Sequence, residues 1–297
     1  MKCDLCPRKC LVDRKKGEKG ICGQTENLKV ARAALHFWEE PCISGDAGSG
    51  AVFFSGCPLH CVFCQNENIA NGTVGKEISL ERLVDIFLEL QEKGANNINL
   101  VTPGHFVPQI VKALDQARKE GLTLPVVYNT SSYETVDTIK MLEGYVDIYL
   151  PDFKYMSPVL SKKYSHAPDY AEVAKAAIAE MVRQTGKAVF VNGEEDNLIL
   201  SGTIVRHLTL PGCMADSMQI VKYLHDTYGD KIYISIMNQF TPLSNLEKYP
   251  ELNRRITDEE YETLVDYAID IGIENGFVQE GDTAEESFIP AFDCEGV

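Results

Sequence analysis

The sequence predicts an α/β fold: an incomplete (βα)6 barrel preceded by a small cysteine-rich, metal-binding segment. Three observations carry this. From Ala51 onward, short apolar runs alternate with amphipathic ones. The apolar runs are rich in β-branched residues, as expected of strands buried on both faces of a parallel sheet. About six strand–helix units fit, fewer than the eight of a closed barrel.

The elements follow in chain order. Residues 1–45 read as the cysteine-rich segment and a connector, 46–280 as the barrel and 281–297 as a C-terminal tail. Residues 30–50 read as connector, ending in the loop-like stretch Ser44-Gly45-Asp46-Ala47-Gly48-Ser49-Gly50. Strands are expected at 51–55, 97–101, 125–129, 147–150, 203–208 and 233–237. Ser79 is placed to cap a helix that sets Leu80, Leu83, Val84, Phe87 and Leu90 on one face. Thr257 and Glu260 form a capping-box pattern ahead of Tyr261, Leu264, Val265 and Ala268. Polar segments marked by Gly or Pro follow the strands, and in parallel βα folds function gathers at those strand ends.

Composition excludes some functions. The net charge of −16 repels phosphate backbones, so a long nucleic-acid partner is not expected. No apolar run approaches the roughly 18 residues of a membrane helix, and Met1-Lys2-Cys3 shows no signal-peptide pattern, so a soluble cytoplasmic protein is expected. Seven of the ten cysteines fall in two tight groups, which favours metal ligation over disulfides.

Cys57-x3-Cys61-x2-Cys64 directly follows the first barrel strand. Three thiolates on one loop reach three corners of a cubane cluster and leave one iron open. Structural zinc takes four protein ligands, one more than this loop supplies.

The stretch from Ser55 to Asn66 resembles the cluster loop of the radical S-adenosylmethionine (SAM) superfamily. Cys3–Cys10, His36–Pro41, Asn99–Phe106, Ile204–Leu208 and Pro290–Asp293 extend the resemblance to proteins similar to pyruvate formate-lyase activating enzymes. The resemblance implies a [4Fe-4S] cluster on Cys57, Cys61 and Cys64, with SAM chelating the open iron. It implies reductive cleavage of SAM to a 5′-deoxyadenosyl radical that abstracts hydrogen from substrate. It also implies a reductant such as flavodoxin or ferredoxin.

By position, the resemblance places Phe63 beside the cluster and Thr102, Gly104 and His105 near the SAM amino group, although the acidic residue usual there is absent. His105 reads equally as a capping or core histidine. Asn129 and Ser131 fall where ribose contacts occur, or make an Asx or Ser/Thr turn. Asp152 and Lys154 fall near the methionine end, or form an ion pair. Arg206 and His207 lie on a strand end that approaches SAM. Met237 and Gln239 flank the adenine position.

Cys3, Cys6, Cys10 and Cys22 place four thiolates within twenty residues, too short a segment to build a core without a metal. Zinc and a second iron–sulfur cluster both suit four thiolates. For the reaction, two readings stand. One is an activase installing a glycyl radical on a partner enzyme; Phe63 and Gln65-Asn66-Glu67-Asn68 depart from that group's pattern. The other is an enzyme acting on a small molecule, with a modified nucleoside, queuosine, as the named candidate in a queuine lyase reaction. A metal-binding structural or electron-carrier protein would need no polar residues at the barrel mouth.

Overall fold

The computed structural model describes residues 2–193, 197–243, 246–279 and 290–297. Its strands are β1 (Leu28–His36), β2 (Ser49–Phe54), β3 (Lys76–Ile78), β4 (Ile98–Val101), β5 (Val126–Thr130), β6 (Ile148–Pro151), β7 (Val189–Phe190), β8 (Ile199–Leu208), β9 (Tyr233–Met237) and β10 (Gly276–Val278). Along the sheet they run β10-β9-β8-β6-β5-β4-β2-β1-β3, with β7 paired only to β8. Strands β2, β4, β5, β6, β8, β9 and β10 run parallel to one another, and β7 is antiparallel to β8. β1 and β3 are antiparallel additions. Among the described residues β10 and β3 do not meet, so the barrel stays open.

All six expected barrel strands are present, as β2, β4, β5, β6, β8 and β9. Every residue of β2, β4, β5, β6 and β9 is buried, which is why they read as continuous apolar runs. β10 escaped the sequence because it is three residues long and alternates exposed with half-buried positions. The helix Leu80–Glu92 is capped by Ser79, whose side chain accepts from the Arg82 N–H. The Thr257–Glu260 capping box forms at the helix Asp258–Asp270.

The expected connector over 30–50 is largely structured, and this corrects the reading. β1 pairs with β2 from Val30↔Phe54 to His36↔Ser49. Its Lys, Arg and Ala residues have weak strand propensity, so pairing and burial decided the conformation. After it, the helical turn Pro41–Ser44 buries Cys42 and Ile43 against Val127, Ile148, Ile204 and Tyr233. Those partners lie mostly at the N-terminal ends of their strands, so this turn plugs the bottom of the barrel.

Of the expected tail, 281–289 lies outside the described residues. Residues 290–297 dock on β1: the Cys294 N–H donates to the Ala31 carbonyl and the Ala33 N–H to the Glu295 carbonyl. Gly296 has φ +72, and a Cβ there would stand 2.0 Å from the Ala33 carbonyl oxygen, so only glycine fits. No described helix is long and apolar enough to cross a membrane.

Candidate functional site at the mouth of the barrel

Beyond β2 the chain turns at Gly56, φ +96, where a Cβ would lie 2.5 Å from the Cys22 carbonyl oxygen. The turn delivers Cys57, Cys61 and Cys64 to the C-terminal face of the barrel. Burial pushes the Cys57 thiol up to about 11 and the Cys64 thiol up to about 12, and repulsion by neighbouring sulfurs adds to both shifts. Other contacts favour the anion. The Leu59 and His60 N–H groups bond the Cys57 sulfur, and the Asn66 N–H bonds that of Cys64. Ser165 Oγ donates to Cys61 Sγ at 2.9 Å. The Lys154 ammonium acts on all three sulfurs. Donors and a buried cation aimed at sulfur suit thiolates, the ligands an iron–sulfur cluster takes. Among the described residues, no three His, Cys, Asp or Glu groups gather tightly enough for a single metal ion. A cubane, whose ligands sit at separate corners, asks for a wider spread.

These cysteines open onto a cavity of about 680 Å³. Phe63, Thr102, Asn129, Ser131, Asp152, Lys154, Arg206, Met237 and Gln239 line it as well. Phe63 is held edge-on by Tyr155, Tyr164 and Phe240. Gln239 is tied to the three-cysteine loop, its carbonyl accepting from Gln65 Nε2 at 2.9 Å. Thr102 has φ +55, a left-handed conformation that a β-branched residue adopts at a cost of about 1–3 kcal/mol. Such strain in a cavity wall is characteristic of functional sites.

Asp152, Lys154, Arg206 and Asn129 form one buried network with a residue the sequence did not single out, Glu39. Arg206 donates from Nε to Asp152 Oδ1 at 3.0 Å, from Nη1 to Glu39 Oε2 at 2.8 Å, and from Nη2 to Asn129 Oδ1 at 2.6 Å. Lys154 Nζ donates to Asp152 Oδ2 at 2.7 Å. Burial opposes ionisation of Asp152, yet Lys154 and Arg206 together hold its carboxyl below the usual aspartate value. The guanidinium fork is therefore occupied by protein carboxylates and an amide.

Gly104, His105 and His207 lie outside the cavity lining. A Cβ on Gly104 would press within 2.9–3.1 Å of the Glu134 carboxyl. His105 is a core residue, its Nε2 2.8 Å from the Ser55 carbonyl. His207 follows Arg206 on β8, and alternation along a strand turns it to the opposite face. There its Nδ1 donates to the Phe153 carbonyl and its Nε2 accepts from Ser217 Oγ, both at 2.8 Å.

These two histidines set a pH dependence. Burial holds His105 down to about 3 and His207 down to about 4. In the unfolded chain both titrate near the ordinary value of about 6.5, so between about pH 6.5 and 4 the unfolded state binds more protons. Stability should be full above about pH 6.5 and fall by on the order of 3 kcal/mol per histidine as the pH drops to 4. Urea midpoints across that window read the slope, and His207→Gln should flatten it; equal slopes would exclude His207 as a contributor.

The four N-terminal cysteines feel one another's charge, although no three of them gather tightly enough to hold a single metal ion. Cys6 feels the charges of Cys22, Cys10 and Cys3, and Cys22 those of Cys3 and Cys10. The Ile21 N–H meets Cys10 Sγ at 3.3 Å. This segment is bolted to the three-cysteine loop and barrel. Arg8 donates to the carbonyls of Pro58 at 2.9 Å, His166 at 2.6 Å and Ser165 at 3.1 Å. His60 Nε2 lies 2.8 Å from the Ile21 carbonyl.

Comparison with known proteins agrees with this architecture. An uncharacterized protein of Methanocaldococcus jannaschii is 27% identical over 273 residues, covering 90% of this chain and 74% of that protein. Streptococcus suis SuiB bound to S-adenosylmethionine superposes with a TM-score of 0.52 at 13% identity, covering 76% of this chain and 48% of that one. HydG, a maturase of the [FeFe]-hydrogenase, gives 0.51 at 15% identity, covering 78% and 52%. The chain spans about half the length of these two solved structures, and at such identities the likeness is one of fold. The Radical SAM superfamily model matches residues 51–198. That match begins within β2, takes in the three-cysteine loop and runs through β4, β5 and β6, and this chain belongs to the radical SAM superfamily.

Proposed function

We propose that this chain is a radical SAM enzyme acting on a small molecule, with free queuosine, as nucleoside or nucleotide, the named candidate and queuine the product released. The observation supporting a small substrate is the cavity of about 680 Å³ opening on the three cysteines. Its size falls within the ~300–1,000 Å³ of small-molecule sites. The net charge of −16 disfavours a long nucleic acid in its place.

On this reading Cys57, Cys61 and Cys64 hold the [4Fe-4S] cluster that family membership implies. When bound, the cluster would supply the electron for reductive cleavage of SAM, and the resulting 5′-deoxyadenosyl group would be the hydrogen acceptor. Lys154 keeps positive charge beside the sulfurs. The Glu39–Arg206–Asp152 network holds Lys154 and Asn129 in place. Phe63 and its aromatic neighbours keep water from the cysteines. Thr102, Ser131, Met237 and Gln239 line the space for SAM. Cys3, Cys6, Cys10 and Cys22 hold a second metal, zinc or another iron–sulfur cluster. An external reductant such as flavodoxin or ferredoxin supplies electrons, and the protein works in the cytoplasm.

The test is an anaerobic assay with dithionite, SAM and individual substrates. Free 5′-deoxyadenosine should rise above background when queuosine is added. If queuosine produces no rise, it is not the substrate. If no condition yields 5′-deoxyadenosine, the radical SAM reading of the cavity fails.

A further inference from the structure

Glu39 and Glu40 are adjacent in the chain, and the structure treats them differently. Glu39 is fully engaged: its Oε1 accepts from Asn99 at 3.0 Å and Asn129 at 3.1 Å, and its Oε2 from Arg206 at 2.8 Å. Glu40 lines the same cavity, is only 7% exposed, and its Oε2 has no hydrogen-bond partner. Buried carboxyl oxygens are nearly always satisfied, so an orphan on a residue that lines a cavity marks a place where a small shift would admit a ligand.

Charge accounting sharpens this. Arg206 and Lys154 are matched by Asp152 and Glu39, which leaves Glu40 as a surplus acid. Burial raises its pKa; attraction by Arg206 opposes the rise and repulsion by Glu39 adds to it. The groups facing it are therefore Arg206, Glu39 and the Ser235 hydroxyl on β9. The same cavity has aromatic residues in its lining. Phe37 and Trp38 precede Glu40 on the same loop, Phe277 comes from β10, and all three line the cavity. Phe37 and Trp38 keep 49% and 60% of their surface exposed.

We propose that Glu40 is the substrate-recognition carboxylate of this cavity, and that the substrate carries a basic amine beside a flat, apolar ring. The ammonium bonds Glu40 Oε2, and the ring lies against Phe37, Trp38 and Phe277. An ammonium suits this oxygen because it brings the charge that lets a buried carboxyl ionise, which a neutral hydroxyl or amide does not. This deepens the small-molecule reading above and rests on it.

Trp38 is the only tryptophan in the chain, so its fluorescence reports on this lining. The intact protein is titrated with benzylamine and with benzyl alcohol, which share a ring and differ in charge. Benzylamine should bind at least about tenfold more tightly, as expected for a charged hydrogen bond over a neutral one. Glu40→Gln should abolish most of that preference, with iron content and SAM affinity as in the wild type. Equal binding of the two probes, no saturable response to benzylamine, or an intact preference in Glu40→Gln would each overturn the proposal. So would weakened SAM binding in that variant, which would assign Glu40 to SAM. If the variant does not fold, the wild-type comparison of the two probes still decides. A protein that binds benzylamine selectively but lacks iron and SAM cleavage would refute the enzyme reading and leave this subsite standing.

Discussion

Replacing any one of Cys57, Cys61 or Cys64 with alanine should abolish the brown absorbance of the central cluster and reduce 5′-deoxyadenosine formation to background. The three sulfurs have distinct partners, so no neighbour can take the place of a lost one. Cys57 is bonded by the Leu59 and His60 N–H groups, Cys61 by Ser165 and Cys64 by the Asn66 N–H. Fold stability should change little in the metal-free state, because each thiol behaves there as a small buried apolar group. Metal analysis of the same variants bears on the N-terminal segment. Metal remaining after loss of the central cluster belongs to Cys3, Cys6, Cys10 and Cys22, and its identity separates zinc from iron. Substantial SAM cleavage by any of the three variants would remove the cluster from this loop.

Arg206→Met should destabilise the fold by about 3–5 kcal/mol, the cost of leaving buried carboxylates without their cation. The guanidinium is the one group joining Glu39, Asp152 and Asn129, elements from three parts of the chain. Arg206→Lys should recover little, since an ammonium cannot present three donors in one plane. Pairing Arg206→Met with Glu39→Gln should restore part of the loss, because one of the stranded charges is then gone. Urea denaturation of the metal-free proteins measures all of these. A loss below about 1 kcal/mol for Arg206→Met would mean that the network is held by its surroundings and not by the arginine.

Spacing and periodicity determined a great deal about this protein by themselves. Three cysteines directly after the first apolar run singled out the loop that opens on the cavity, because loop spacing is local and thiol chemistry is specific. The six buried strands were legible because burial on both faces demands uninterrupted apolar runs. Helix caps at Ser79 and Thr257 were legible for the same local reason.

What tertiary structure alone decided is long-range. β1 has no strong strand signal and forms because β2 and residues 290–297 pair with it. Arg206 and His207 look alike as site residues in a sequence, yet strand alternation sends one into the cavity and the other into the core. Glu39 and Glu40 could not be told apart either. One is bound by an arginine 167 positions away and the other is buried with one oxygen unpartnered, and only the fold brings such partners together or withholds them.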